Sequence, residues 1–589
     1  MQNPEEFYST QKSFFEQELK ILKKQLAVSS SLRLFIFLSA IFGIYFFFGT
    51  IKIVIFIVVL WIVSFIYLIK RHVNLQYKSN LNKALIEINK TEIKVLNRDY
   101  FSFHGGNEFI EPTHAFSYDI DLFGKGSFFQ YCNRTATNEG KQEFVKRLTN
   151  NDISNIVERQ NAIKELSQKP KWRQQFSALA SLVKVEHPAD EIINWIHNYK
   201  SVFPKFIAFL PTVFSTISVA LIVLVGMNSI AEQVLLIWFF LGLGISGVYH
   251  KKVNELYTDA SNAKDTFKQY HKLLNEIEST TFSSLILKEK QQEIQTASQK
   301  ASTIFAKFSK ALDAFDQRNN LIVAVFGNAF LLRDLQQVYN VEKWIGAYKG
   351  KVENWFKVIA FFDAQNSLAN FAYNHPSYVY PEIHKNKQVI TSKNLGHPLL
   401  KESQRVDNNF SIENHQFFII TGANMAGKST FLRTVSLAIV MGNIGLPVCA
   451  SAFKYTPIKL ITSMRTSDSL ADNESYFFSE LKRLKFIVDE IKTKEYFIIL
   501  DEILKGTNST DKAIGSKKFV QKLVNSKSTG IIATHDLSLC EIENELNEVK
   551  NYYFDAEIIN DELNFDYQLK NGICKNMNAS FLLKKMEII

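Results

Sequence analysis

The residues best suited to chemistry lie in a glycine-rich loop that follows an apolar run. Phe417–Ile420 predicts a buried strand, and the sequence beyond the loop predicts a helix. The loop consists of Gly422, Ala423, Asn424, Met425, Ala426, Gly427, Lys428, Ser429 and Thr430. Its glycines let backbone N–H groups close around phosphates, its lysine can reach the terminal phosphates, and its serine can ligate magnesium. The spacing therefore predicts a nucleoside-triphosphate site with Mg²⁺.

Two later apolar runs end in residues that suit phosphate hydrolysis. Tyr496–Leu500 is followed by Asp501 and Glu502, where an aspartate orients magnesium and a glutamate can activate water. Gly530–Ala533 leads to His535, placed where it can sense the terminal phosphate, although a lone histidine is more often structural. The predicted catalytic residues are Lys428, Glu502 and His535, and the predicted metal ligands are Ser429 and Asp501.

These motifs resemble the ATPase domain of the MutS family. The stretch TGANMAGKST resembles the family's TGPNMGGKST loop, and Ser475–Glu480 resembles its S-x-F-x-x-E signature. Asp501–Asp511 resembles DELGRGTSTxDG, and Ala533–His535 resembles ATH. The likeness is strong over residues 391–589. It is fainter upstream, where Thr135–Leu166 resembles the start of the family's helical core domain.

The resemblance implies an α/β ABC-type P-loop domain that hydrolyses ATP with Mg²⁺. It implies a homodimer through the ATPase domains, in which Ser475 of one subunit reaches the nucleotide of the other. It also implies DNA as a partner and kinship with mismatch repair. Mismatch recognition itself is not expected, because the segment before residue 116 leaves no room for the mismatch-reading and connector domains; the Phe-x-Glu triplet at Phe109–Glu111 is read as coincidence.

The sequence departs from the family pattern at three positions near the nucleotide. Leu504 and Lys505 replace the usual glycine and arginine, and Arg405 stands where an aromatic residue often stacks on adenine. We expect the preference for the adenine base to be looser than in the family.

Two pairs of apolar runs predict membrane helices. Residues 34–69 are almost uncharged apart from Lys52, and a single helix over them would span roughly 54 Å, against about 30 Å for a hydrocarbon core. This favours two spans, 34–50 and 53–69. A second pair is predicted at 206–226 and 234–249. The alternative is a buried hairpin of a soluble domain, and it is stronger for the second pair, which contains Pro211.

The distribution of charge predicts the orientation of the protein in a membrane, but the net charge does not identify its partner. The net charge of +10 suits nucleic acid or anionic lipid equally. Basic residues flank both hairpins, at Lys23, Lys24, Arg33, Lys70, Arg71, Lys205, Lys251 and Lys252. They predict a multi-pass protein of the inner (cytoplasmic) membrane with its soluble domains in the cytoplasm. The four cysteines are scattered, which indicates neither a zinc site nor a disulfide framework.

The predicted organisation is an all-α, MutS-like core and lever that carries two transmembrane hairpins and is followed by the ATPase domain. Helices are expected to extend the first hairpin over 1–30 and 73–98, and to break near Gly327 and Gly346 within 250–372. The segments are an N-terminal cytosolic helix at 1–33, hairpin 1 at 34–70, a helical linker at 71–115, the core at 116–205, hairpin 2 at 206–249, the lever at 250–390 and the ATPase at 391–589.

The leading hypothesis is a membrane-anchored dimeric switch driven by ATP that acts on DNA. The alternatives are an ABC-transporter-like ATPase and a membrane tether that acts on a partner other than DNA. Against a transporter, the sequence lacks an LSGGQ signature and offers only four spans.

Overall fold

A computed structural model describes residues 3–182, 188–295, 299–385, 387–465, 476–559 and 562–574. Helices dominate the first two thirds. Their bounds are α1 Pro4–Phe46, α2 Ile51–Leu96, α3 Phe128–Cys132, α4 Asn138–Thr149, α5 Ile156–Ser167, α6 Pro170–Ser181, α7 Ala189–Asn198, α8 Leu210–Gly226, α9 Gln233–Glu278, α10 Leu285–Gln292, α11 Ala301–Asp316, α12 Leu321–Leu331 and α13 Arg333–Asn374.

The C-terminal third contains strands and helices in alternation. Its helices are α14 Lys428–Ile444, α15 Tyr476–Glu490, α16 Ser509–Asn525 and α17 Ile542–Glu545. Its strands are β1 Glu382–Ile383, β2 Gln388–Leu395, β3 Asn408–Glu413, β4 Phe417–Gly422, β5 Ala452–Tyr455, β6 Lys459–Ser463, β7 Tyr496–Asp501, β8 Thr529–Ala533, β9 Val549–Phe554, β10 Glu557–Ile559, β11 Glu562–Asn564 and β12 Leu569–Asn571.

Helices α1 and α2 continue beyond their apolar runs without interruption, as the sequence predicts. Asn3 caps α1 by accepting a hydrogen bond from the Glu5 backbone N–H at 3.1 Å, and Pro4 occupies the first turn. By length and composition, α1, α2 and α9 could each cross a membrane. Helix α8 is apolar but shorter, with 17 residues. Whether any of these helices spans a bilayer stays a prediction.

The predicted helical linker at 71–115 is helical only as far as Leu96. Beyond it the chain is irregular up to α3, apart from a short 3-10 turn at Asn107–Phe109. Gly106 adopts a left-handed φ of 73°, and a Cβ on Gly105 would lie 2.7 Å from the Gly124 carbonyl oxygen. The amide of Gln130 donates to the carbonyls of Phe101 and Phe103 and holds this loop in place. The helix prediction was therefore wrong for 97–115.

The lever also differs from its prediction. Gly346 lies inside the 42-residue helix α13, so no break occurs there. Burial of Trp344 and Ile345 beside it outweighs the cost of about 1 kcal/mol for a glycine within a helix. The break falls instead at Leu332, whose φ of 46° is left-handed, and α12 and α13 meet there at 85°.

Aromatic packing joins the polar half of α9 to α11 and α13. The ring centroid of Phe267 on α9 lies 4.7 Å from that of Phe305 and 5.3 Å from that of Trp344. Phe308 stacks on Trp344 at 3.8 Å. Such pairs stabilise beyond their area burial, so the three helices form one stiff unit.

The C-terminal third is built on a six-stranded sheet with the order β12-β9-β4-β8-β7-β6. Strands β9, β4, β8, β7 and β6 run parallel, and β12 is antiparallel at the edge. Every residue of β4 is buried, because successive side chains enter cores on opposite faces of the sheet. The carboxyl ends of β4, β7 and β8 therefore meet at one edge, where ligands bind in parallel sheets. A second sheet has the order β1-β5-β2-β3.

A fully buried carboxylate fastens α4 to α13. Asp363 on α13 accepts hydrogen bonds from the backbone N–H of Thr137 at 2.8 Å and from its hydroxyl at 2.7 Å. It also accepts from the N–H of Ala136. A Cβ on Gly140 would lie 2.1 Å from this carboxylate, so the contact depends on a glycine there. Burial raises the pKa of Asp363 to about 6.

This carboxyl gives a testable pH dependence of stability. The pKa of Asp363 is about 6 in the folded chain against an ordinary 3.8, so the folded state binds the proton more tightly than the unfolded state. Its contribution to stability therefore decreases as pH rises from 3.8 to about 6. We expect the midpoint of thermal unfolding, followed by tryptophan fluorescence across that interval, to depend less on pH in Asp363→Asn. Asp489→Asn, which alters an exposed carboxylate, should keep the wild-type slope; equal slopes in all three proteins would contradict the assignment.

Candidate nucleotide site

The loop between β4 and α14 has the backbone shape that the sequence predicts for a phosphate cradle. Gly422 and Gly427 adopt φ of 148° and 103°, and Met425 adopts 67°. A Cβ on Gly422 would lie 2.6 Å from the Phe554 carbonyl oxygen, so only glycine fits there. Ala426 is fully buried beneath the loop. The first N–H groups of α14 face the loop and lack partners within the helix, which suits an anion.

Lys428 is almost fully buried at the base of this loop, with 6% of its surface exposed. Its ammonium donates to the carbonyls of Gly422 and Ala423 at 2.8 and 3.0 Å. Burial lowers the pKa of Lys428, while the carboxylates of Asp501 and Glu502 oppose the shift. The ammonium is thus fixed between the loop and the acidic end of β7.

The predicted metal ligands are in contact. The hydroxyl of Ser429 donates to Asp501 Oδ2 at 2.5 Å. A hydroxyl and a carboxylate are hard oxygen donors, and Mg²⁺ usually takes one or two carboxylates together with water and substrate phosphates. The pair therefore fits Mg²⁺. Among the residues that the structure describes, no group of three or more His, Cys, Asp or Glu could hold a metal by itself.

Glu502 and His535 are in hydrogen-bond contact across the ends of β7 and β8. His535 Nε2 lies 3.0 Å from Glu502 Oε1 and 3.2 Å from the Lys428 ammonium. The hydrogen bond from His535 holds the pKa of Glu502 at about 2, with help from Lys505. Nε2 donates to Glu502 only when it carries a hydrogen, and it accepts from Lys428 only when it carries none. His535 therefore sits where it can respond to charge on either side.

A cavity of about 510 Å³ opens over the loop. It brings together nearly all of the predicted site residues. Those that line it are Ala423, Asn424, Met425, Gly427, Lys428, Ser429, Thr430, Asp501, Glu502 and His535. The volume lies within the ordinary range for small-molecule sites.

Three other residues of this cavity, His397, Asn408 and Tyr567, carry no local sequence signal. The ring of Tyr567 packs over the loop at Gly427. A Cβ added to this glycine would lie 3.1 Å from the ring. The carbonyl of Tyr567 accepts from the side chain of Asn408 at 3.0 Å. Burial lowers the pKa of His397 to about 4, so this ring is neutral. Arg405 also lines the cavity, but its guanidinium is engaged by Asp407 at 2.5 Å.

The signature segment lies only partly within the described residues, and Ser475 falls outside them. Its later residues contact the loop after β7 in the same chain. Glu480 is buried and accepts a hydrogen bond from the Lys505 N–H at 3.0 Å. Burial raises the pKa of Glu480. A Cβ on Gly506 would lie 2.8 Å from the Phe477 Cβ, so the two motifs fit each other through a glycine.

A segment to which the sequence analysis assigned no part in the site covers the edge of the six-stranded sheet. We call residues 111–122 the strap. The N–H of Thr462 on β6 donates to the Ala115 carbonyl at 2.9 Å, and the Thr462 hydroxyl donates to Asp119 at 2.6 Å. Asp119 also accepts from the N–H of Arg465 at 2.9 Å. The strap therefore satisfies polar groups of an edge strand that would otherwise be unpaired.

Arginines tie the strap to two further elements. Asp121 lies 2.5 Å from Arg465 and 3.5 Å from Arg433 on α14. Arg483 on α15 donates to the carbonyls of Thr113, His114 and Ala115. The segment that follows α2 thus contacts the helix of the phosphate loop and the helix of the signature.

A family model and the curated relatives both indicate similarity to the MutS family. The model for MutS domain V matches residues 418–585. The DNA mismatch repair protein MutS of Aquifex pyrophilus is 32% identical over 233 residues, which is 38% of this chain and 26% of that protein. Human MutS protein homolog 4 is 31% identical over 224 residues, covering 36% of this chain and 23% of its own length. The chain spans about a quarter of the length of these curated relatives.

Two aspartates of the strap are expected to contribute differently to stability. Asp119 is 4% exposed, and Asp119→Ala removes the acceptor at 2.6 Å from the buried Thr462 hydroxyl and the acceptor of the Arg465 N–H, at a cost of roughly 1–3 kcal/mol. Asp121 is partly exposed, so Asp121→Ala should cost only about 0–1 kcal/mol. Hydrogen exchange of the β6 and β7 amides measures the local opening free energy. A smaller effect for Asp119→Ala than for Asp121→Ala would contradict the described contacts.

Proposed function

Because its C-terminal region makes this chain a member of the MutS family, we propose that it is a membrane-anchored, Mg²⁺-dependent ATPase that works as a dimeric switch. The single observation that carries the ATPase proposal is the meeting of Lys428, the Ser429–Asp501 pair and the Glu502–His535 pair at one sheet edge. In this proposal the loop holds the triphosphate.

The proposed roles follow from the chemistry of each side chain. Lys428 binds the terminal phosphates as a fixed positive charge, and Ser429 and Asp501 hold Mg²⁺. Bound magnesium would neutralise charge on the phosphates. Glu502 orients the attacking water through a carboxylate that stays ionised, since its pKa is about 2. His535 reports the charge of the terminal phosphate to Glu502, to which it is hydrogen-bonded.

The dimer proposal rests on the signature segment. Phe477 and Glu480 fasten that segment to the loop 504–506, directly beyond Glu502. In the proposed dimer, Ser475 of one subunit completes the nucleotide site of its partner. A change at either site then moves the other through the contact between the two motifs.

The membrane proposal rests on exposed apolar surface. In each of α1, α2 and α9, only 6% of the most apolar window is buried within the chain. Soluble proteins rarely expose contiguous apolar surface of this extent. The basic residues that flank the runs support an orientation with the soluble parts in the cytoplasm, at the inner membrane. Lipid is then a partner of all the apolar helices.

DNA is the proposed partner of the soluble part. The relatives in the comparison include proteins named for DNA mismatch repair, and the net charge of +10 permits contacts to phosphates. Mismatch recognition is not part of the proposal. The exposed apolar helices favour, as a second candidate, a tether or transporter-like ATPase that acts on a partner other than DNA.

Two substitutions test the switch. Glu502→Gln removes the carboxylate that orients water, and turnover should decrease roughly 100-fold while ATP still binds. Ser475→Ala should lower turnover on the order of 10-fold or more if that hydroxyl completes the partner's site. ATP hydrolysis and dimer formation are measured in purified full-length protein, with Glu495→Gln as the control near the same strand. Unchanged turnover in both variants would refute the proposal.

Salt dependence tests the DNA partner. Neutralising about six phosphates should make affinity decrease roughly 1,000-fold between low and physiological salt. Fluorescence anisotropy with a labelled duplex, using the ATP-bound Glu502→Gln protein, gives this slope. Absence of binding at low salt, or binding that is insensitive to salt, would exclude DNA held through its phosphates and leave the tether.

A further inference from the structure

Helix α12 is an apolar segment that was assigned only to the lever. It carries no charged side chain from Leu321 to Leu331. Leu321, Ile322 and Phe326 are 77%, 69% and 56% exposed. Its 11 residues span about 16 Å, which is too short for a hydrocarbon core of about 30 Å. It is thus neither a buried core helix nor a complete span.

The helix packs against the apolar part of the second hairpin. Phe326 and Phe330 lie 6.0 and 5.8 Å from the ring of Phe239 on α9. A Cβ on Gly242 would lie 2.2 Å from the Ala329 carbonyl oxygen, so the two backbones are in direct contact. This contact lies nine residues before Lys251, or about 14 Å along the helix axis, on the apolar side of the basic residues.

Polar residues close the segment at both ends. Arg318, just before α12, lies 3.2 Å from Asp334, just after it. Arg333 donates to Gln317 across the same junction. Asn328 accepts from the Asp334 N–H at 2.9 Å, which secures the turn at Leu332. The chain therefore leaves a polar layer at Asn320 and returns to it at Arg333.

The direction of α12 follows from its neighbours. Helix α13 lies alongside α9, with Phe356 4.7 Å from Tyr270. Helix α12 turns away from α13 by 85°. If α9 crosses the bilayer, α12 lies close to the membrane plane, on the apolar side of the basic residues.

We propose that α12 is seated in the bilayer as an in-plane helix, so that the turn at Leu332 holds the lever helix α13 at the membrane surface. The proposal rests on the membrane anchoring proposed above. Its occupant is lipid, because α12 packs against α9 at Phe239 and Gly242, in the stretch of α9 whose Leu236, Ile237 and Phe240 are 61%, 71% and 67% exposed. A second copy of this chain is the competing occupant.

The test uses a polarity-sensitive fluorophore on single introduced cysteines. Full-length Phe326→Cys protein is labelled and reconstituted into vesicles of phosphatidylcholine and phosphatidylglycerol that carry nitroxide-labelled lipid. Ile55→Cys in the first hairpin is the matched membrane control, and Lys310→Cys on α11 is the water control. The native cysteines within the described residues are buried, and unsubstituted protein taken through labelling measures their background.

An in-plane helix predicts quenching of the Phe326 label about twofold stronger with a nitroxide near the headgroup than with one at the chain end. The Lys310 label should not be quenched. Quenching at Ile55 without quenching at Phe326 would overturn the proposal while the anchor stands. Strongest quenching by the deep nitroxide would overturn it in favour of a span. If shielding of the Phe326 label from quenching increased with the amount of protein per vesicle, the exposed face of α12 would be assigned to a second copy of the chain. Absence of quenching at Ile55 would refute the membrane anchoring itself.

Discussion

A buried lysine ammonium sets the constraint that the rest of the candidate nucleotide site satisfies. Lys428 is almost entirely removed from water, and its charge is kept by two loop carbonyls and by the carboxylates at the end of β7. A charge in such a place needs close negative partners, since its desolvation is costly. The glycine positions of the loop, the parallel order of β4, β8 and β7 and the proximity of His535 all serve to bring those partners within reach.

The same requirement explains why parts distant in sequence contact this edge. Glu480 fastens the loop beyond Glu502 from within the chain, and the strap covers the exposed edge of β6. Through Arg433 the strap also contacts the helix whose first turn forms the phosphate cradle. The strap follows α2 after a mostly irregular segment, so the chain leads from the first apolar hairpin through α2 to the edge of this sheet.

Local patterns predicted the parts of the site that depend on local physics. The strand before Gly422, the loop and the acidic pair after β7 follow from burial and backbone freedom over a few residues, and the structure forms them where expected. The contacts of Tyr567 and Asp119 could not be predicted from local patterns, because each is made with a residue more than 100 positions away in the sequence. The predicted break at Gly346 failed since tertiary packing of Trp344 overrode a weak local preference.

The proposed switch needs a mechanical path towards the membrane, and α13 is the helix that begins at the turn at Leu332. Near its end, Asp363 binds the start of α4 with a carboxylate that has no exposure to water. Along its middle, the rings of Trp344 and Phe356 lock it to α9 and α11. A helix held at both places moves as a body rather than by bending, since close-packed interiors transmit displacement. In the proposed arrangement, a displacement of α4 is therefore passed along α13 to the turn at Leu332.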